Sequence, residues 1–167
     1  VRVENISCRS KQGDIAFLDV LQQMGCVVVE GGGYIEVSGP AGSGRAPDGV
    51  DPGLTGGGVR RGSPLASTPT RIRGIASARV KETDRVAAMC AELTRLGVDM
   101  EEYPDGLTIQ PCENIRPATV QTYNDHRMAM AFALVGLRAS GVTIENPGCV
   151  SKTFPDYFKV LDLLRNA

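Results

Sequence analysis

The sequence of 167 residues predicts an α/β (α+β) fold made of repeated strand–helix–hairpin–helix units. Strand-like and helix-like patterns alternate along the chain. A period of 72 residues relates Gly25 to Gly97, and TRIRG at Thr70 to VTIEN at Val142, as repeated supersecondary units require. The run from Met128 to Leu137 is apolar nearly all round, the mark of a helix buried on most sides.

The elements follow in order. VRVENIS alternates and is rich in β-branched residues, so it reads as a strand. In DIAFLDVLQQMG, Asp14 can cap a helix whose stripe runs through Ile15, Leu18, Leu21 and Met24, and Gly25 can end it. CVVVE, the glycines from Gly31 to Gly33, and YIEVS read as a β-hairpin. The order then returns. TRIRGIA is strand-like; TDRVAAMCAELTRLG is a helix with Thr83 or Asp84 at its start and Gly97 at its end. VDMEEY, a PDG turn and LTIQP form the second hairpin, and YNDHRMAMAFALVGLRASG is a helix capped by Asn124 or Asp125. A third start shows in the lysines: Lys11 precedes Asp14, Lys81 precedes Asp84 and Lys152 precedes Asp156. The organisation expected is a first unit over 1–38, an irregular segment over 39–69, a second unit over 70–141 and the opening of a third over 142–167.

The irregular segment is where the period fails. Stepping back 72 positions from the apolar helix reaches Pro52 to Ser67. The residues there, PGLTGGGVRRGSPLAS, include three consecutive glycines, each costing a helix about 1 kcal/mol relative to alanine, and prolines costing about 3 kcal/mol. Gly39 to Pro69 is therefore expected as Gly/Pro-rich coil in the slot of a buried helix.

Composition narrows the function classes. An apolar fraction of 42% and a charged fraction of 22% are those of a soluble globular protein. The net charge of −1 gives no bulk reason to expect nucleic acid or a membrane surface as partner. No run approaches the length of a membrane span, and VRVENISCRS has no signal-peptide apolar region. The cysteines, Cys8, Cys26, Cys90, Cys112 and Cys149, form no C-x-x-C pair, and there is one histidine. No metal site is expected, and free thiols in a reducing cytoplasm are.

Three clusters carry chemistry. RVKETDRVAAM places Lys81, Glu82 and Arg85 at a helix mouth, where free N–H groups and the dipole favour anions. A surface helix start with a Glu82–Arg85 ion pair explains the same residues. YNDHRMAMAF puts His126 and Arg127 in the first turn of an apolar helix. Cations there oppose the dipole, so they fit best around a shared anion, or else as an incidental polar cap. CVSKTFPDYF sets Lys152 before another helix start, with Pro155 near N1; alone, such a lysine is a solvated charge. Equivalent helix starts gather on one side of a repeat domain. Together they supply Lys81, Arg85, Arg127 and Lys152 as anion binders, and Glu82 and His126 as groups that can move protons. The expected ligand is a small anion carrying phosphate or carboxylate.

RVKETDR, YNDHRMAM and KTFPDYF, in that order, together with SKQGDIAFLDVLQQMG, resemble the 5-enolpyruvylshikimate-3-phosphate synthase family. The resemblance covers Val1 to about Gly42 and Thr70 to the C-terminus. It implies a domain of βαβαββ units with helices inside and sheets outside. It implies transfer of the enolpyruvyl group of phosphoenolpyruvate to shikimate 3-phosphate with release of phosphate, without a cofactor. Arg85, Arg127 and Lys152 would hold phosphoenolpyruvate. Lys81 and Ser77 would contact shikimate 3-phosphate, and Glu82 would transfer a proton with His126 nearby, so that Glu82, Lys81 and His126 form the expected catalytic set. The family's second domain has no counterpart here, so the chain is expected to be a cytoplasmic enzyme fragment, inactive alone. A non-catalytic anion-binding module and a frame-shifted gene product are the alternatives. The family's D-x-x-x-P-D helix start would fall inside Gly39 to Pro69, where Asp48 and Asp51 match no such motif. A displaced reading frame from about Gly42 to Thr70 would explain both the composition and the conserved length.

Overall fold

A computed structural model describes residues 1–10, 13–23, 26–39 and 69–165. In the first unit, β1 (Arg2–Glu4) leads through a 3-10 turn (Gly13–Ala16) into α1 (Phe17–Gln23). The hairpin β2 (Val27–Gly31) and β3 (Tyr34–Ser38) follows. β3 lies between β1 and β2, antiparallel to both, with Val3 opposite Ile35 and Val29 opposite Glu36. The second unit repeats the plan with β4 (Thr70–Ile72), a 3-10 turn (Ala76–Val80), α2 (Arg85–Arg95), β5 (Met100–Tyr103) and β6 (Gly106–Ile109). Its sheet order is β4-β6-β5, the same as β1-β3-β2, so the repeat in the sequence is a repeat of topology.

β7 (Ala118–Val120), α3 (His126–Gly136) and β8 (Val142–Ile144) form a parallel crossover, with Ala118 paired to Val142 and Val120 to Ile144. A parallel pair needs a long connection, and α3 supplies it. β4 and β8 begin 72 residues apart, as do α2 and α4 (Tyr157–Arg165). β8 thus opens the next copy while pairing with the last strand of the copy before. The sequence did not announce β7: its three residues follow Pro117 and run into the polar stretch QTYND, with no alternating flank of the kind that extends β1 and β4.

α2 shows why these residues make a helix. Asp84, not Thr83, is its N-cap, accepting the Ala87 amide at 2.9 Å. Val86, Ala88, Cys90 and Leu93 are buried along the face that meets β5, β6 and β7. At the other end Gly97, at φ 88°, completes a Schellman closure: its amide reaches the Thr94 carbonyl at 2.9 Å, and the Val98 amide reaches Leu93 at 3.0 Å. A Cβ at Gly97 would also meet the Arg116 side chain at 3.0 Å. Gly97→Ala is expected to cost about 1–2 kcal/mol, read as a lowered midpoint in urea unfolding with an unchanged m-value.

Leu93, Leu96, Val98, Leu107, Val120 and Phe132 form the centre of the core. α2, β6, β7 and α3 therefore share one apolar interior. Gly106 is needed where the sheet is tightest, since a Cβ there would lie 2.0 Å from the Ile72 carbonyl oxygen.

Some expectations are met and others corrected. α3 is buried on most sides, as expected, with one exposed strip through Arg127, Ala131 and Leu134, the last 54% exposed. Met128, Ala129, Phe132 and Ala133 are buried, so the helix packs through one broad face against β8 and the 147–152 turn. α1 does not begin at Asp14; the chain takes a 3-10 turn first and becomes α-helical at Phe17. Pro155 is not at the first turn of α4, since Asp156 supplies the first helical acceptor, to Val160. Lys11, Met24 and Gly25, and the expected coil from Pro40 to Thr68, lie outside the described residues. All five cysteines are free. No helix among the described residues is long and apolar enough to cross a membrane.

Candidate functional site

The start of α2, the start of α3 and the 3-10 turn Pro147–Lys152 converge on Glu82. Its Oε1 lies 2.9 Å from Lys152 Nζ, and its Oε2 lies 3.2 Å from His126 Nδ1 and 3.7 Å from Arg85. Three segments far apart in sequence thus meet at one carboxylate.

Asp125 organises the second side of the cluster. It N-caps α3, accepting the Arg127 amide at 2.9 Å. The same carboxylate accepts Arg85 Nε at 2.7 Å and a second Arg85 nitrogen at 3.3 Å. Its side chain is wholly buried, while that of Arg85 keeps 20% exposure. Arg85 is thereby fixed as a two-pronged fork between helices, in a geometry suited to carboxylates and phosphates. Of the two capping candidates, Asp125 is the cap, and its partnership with Arg85 is a feature the sequence reading missed. An aspartate before an apolar run reads as a cap; nothing local shows the arginine 40 residues away.

The candidate residues divide as follows. Glu82, Arg85, His126 and Lys152 come together. Lys81 and Arg127 adjoin them and are exposed; among the described residues neither side chain has a carboxylate partner. Ser77 is exposed on the 3-10 turn Ala76–Val80. Arg79, a residue the sequence reading did not single out, braces this turn. It bonds Asp84 at 2.9 Å, Glu102 at 2.7 Å and the Tyr103 carbonyl at 2.6 Å.

Charge sets what the cluster can bind. Lys81, Arg85, Arg127 and Lys152 outnumber Glu82 and Asp125. The Lys152 hydrogen bond, against some desolvation, holds Glu82 below the ordinary carboxylate range, so it is ionised at neutral pH. Burial pushes Asp125 up, but the Arg85 bond, the Arg127 amide and the Arg85 charge outweigh it, and the net shift is downward. His126 Nδ1 is buried and, despite its nearness to Glu82, has no well-aligned hydrogen bond among the described residues. Glu82, Asp125 and His126 also place donor atoms within 4.8 Å of one another, as a cation would need. Both carboxylates are already matched to Lys152 and Arg85, and the surplus of positive side chains favours an anion.

These shifts fix the sign of the acid response. The Ala87 amide, then Arg79, lower Asp84 against opposing burial. Asp84 and Asp125 both titrate lower in the folded state, so their contribution is complete above the unfolded value of about 4. It is lost as the pH falls through the lower folded values. Melting temperatures measured from pH 7 to pH 2 are expected to fall mainly below pH 4, and less steeply in Asp125→Asn.

The EPSP synthase family model, 3-phosphoshikimate 1-carboxyvinyltransferase, matches residues 1–161. The chain belongs to the EPSP synthase family. A 3-phosphoshikimate 1-carboxyvinyltransferase of Nostoc sp. is 48% identical over 166 residues, covering 95% of this chain and 37% of the relative. The chloroplastic enzyme of Brassica napus is 43% identical over 173 residues, covering 97% of this chain and 33% of the relative. An EPSP synthase structure from Acinetobacter baumannii superposes with a TM-score of 0.70 at 24% identity, covering 98% of this chain and 41% of that one. The mixed helix and sheet architecture is thus the α/β fold of EPSP synthase. The chain spans 37% of the Nostoc relative's length.

Proposed function

We propose that this chain carries one wall of a site that binds phosphoenolpyruvate beside shikimate 3-phosphate, and that it supports enolpyruvyl transfer only when the rest of the enzyme closes over it. The observation that carries this is the meeting of Lys152, His126 and Arg85 on Glu82.

Arg85, Arg127 and Lys152 would take the carboxylate and phosphate of phosphoenolpyruvate. Lys81 and Ser77 would face shikimate 3-phosphate. The transfer joins a hydroxyl oxygen to the enol carbon and releases phosphate, so the hydroxyl proton must leave. Glu82, held ionised by Lys152, is the acceptor in reach, and His126 stands beside it to share the proton. An incoming anion competes with Glu82 for Lys152, which couples ligand uptake to freeing the carboxylate. No metal or organic cofactor enters this scheme. The five free cysteines suit a reducing cytoplasm.

The share of the relatives that is covered favours a second outcome, anion binding without turnover. A coupled phosphate-release assay separates the two. The purified chain alone is expected to be inactive, and addition of the remaining portion of the Nostoc relative is expected to restore turnover. Phosphoenolpyruvate binding without turnover in that mixture would identify a binding module instead.

A further inference from the structure

α2 grips the segment before α3 at two points. Arg85 holds Asp125 at the start of α2. Glu92, two turns further along the same side of the helix, reaches back to the same segment. Glu92 is wholly buried. Its Oε2 accepts the Gln121 amide at 3.0 Å and Arg95 Nε at 3.0 Å, and its Oε1 accepts the Tyr123 hydroxyl at 2.7 Å. A buried carboxylate is costly unless paired. Here the pairing extends past the neighbouring arginine to a turn 29 residues away.

That turn has an unusual shape. Tyr123 and Asn124 both lie in the left-handed region, at φ 54° and 55°, which is uncommon for a tyrosine and persists only where the surroundings enforce it. Asp125 follows, its amide bonded to the Thr122 carbonyl at 2.8 Å, and then His126 and Arg127. The path of residues 121–124 therefore decides where the imidazole meets Glu82.

We propose that Glu92 is a positioning residue of the site: it holds the 121–124 turn in its left-handed form and so sets the placement of His126 and Arg127. It touches no ligand and acts through Tyr123 and Gln121. The inference rests on the anion-binding reading above only for its ligand readout.

His126 is the one histidine of the sequence, so its imidazole C–H signals report the geometry of the site directly by NMR. Tyr123→Phe removes one bond at a residue 40% exposed and leaves Glu92 its other partners. Glu92→Gln removes the charge. Ile109→Val, in the core on β6 and without a bond to the turn, is the control for simple loss of stability. Both turn variants are expected to displace the His126 signals and to weaken phosphoenolpyruvate binding in calorimetry by about tenfold, the scale of one hydrogen bond to a charged group. Ile109→Val is expected to lower the melting temperature and move neither readout. If Tyr123→Phe and Glu92→Gln behave like Ile109→Val, Glu92 is a structural carboxylate and the proposal is overturned. Should Glu92→Gln fail to fold, Tyr123→Phe decides alone. If the wild-type chain takes up no phosphoenolpyruvate even with the remaining portion of the Nostoc relative added, the anion-binding reading falls, and the His126 signals still decide the role of Glu92.

Discussion

Glu82→Gln is expected to lower turnover of the complemented enzyme by about 10²–10⁴-fold, the range over which a positioned acid–base group acts. The substitution keeps the shape and the hydrogen-bonding reach of the side chain but cannot accept a proton. Phosphoenolpyruvate affinity should hold or rise, because Lys152 loses its competing carboxylate at 2.9 Å. Steady-state kinetics on the complemented enzyme therefore give a split: kcat falls while KM for phosphoenolpyruvate does not increase. A rise in KM with unchanged kcat would mean that Glu82 only orders the lysine.

Arg85→Ala is expected to have the largest effect on stability among the site variants. It strips the two Arg85 hydrogen bonds from the fully buried Asp125 carboxylate and leaves it the Arg127 amide alone. Removing one partner of such a pair costs about 3 kcal/mol, because the other charge is left uncompensated. Urea unfolding should show this loss, and the double variant Arg85→Ala with Asp125→Asn should recover part of it, since the stranded charge is then gone. Phosphoenolpyruvate binding should be lost in both variants. Recovery of stability without recovery of binding would separate the structural duty of the pair from its ligand duty.

How far these features could be read in advance depended on the range of the physics involved. α2 was legible because its cap, apolar face and closing glycine all lie within fifteen residues of one another. The hairpins were legible from their turns, and the 72-residue period marked β8 as the counterpart of β4 and α4 as that of α2. β7 and the late onset of α1 were not, since short strands and 3-10 turns leave little periodic signal. Glu82, Arg85, His126 and Lys152 were found because helix starts concentrate anion-binding groups. Asp125 and Glu92 were not identified as site-forming, because their decisive partners are remote: local chemistry makes one a cap and the other a helix-face acid. The exposed flank of α3 at Leu134 and Leu137 shows the same limit. Apolar character marks what a helix can bury, and packing partners decide which side it does bury.

The parallel pairing of β7 with β8 has a consequence for the order of events in folding. The β2–β3 and β5–β6 hairpins close over a few residues, on a timescale of about 1–10 μs. The crossover must bring Ala118 to Val142 across the whole of α3, and contacts between distant segments are slow to form. His126 lies within that crossover and Lys152 beyond it. Their meeting with Glu82 must therefore await its closure. Pulsed hydrogen exchange during refolding should show amides of Gly106–Ile109 protected before those of Ala118–Val120. A nascent chain would then possess its two hairpin sheets before Lys152 and His126 reach Glu82, so the charge cluster is a mark of molecules that have finished folding.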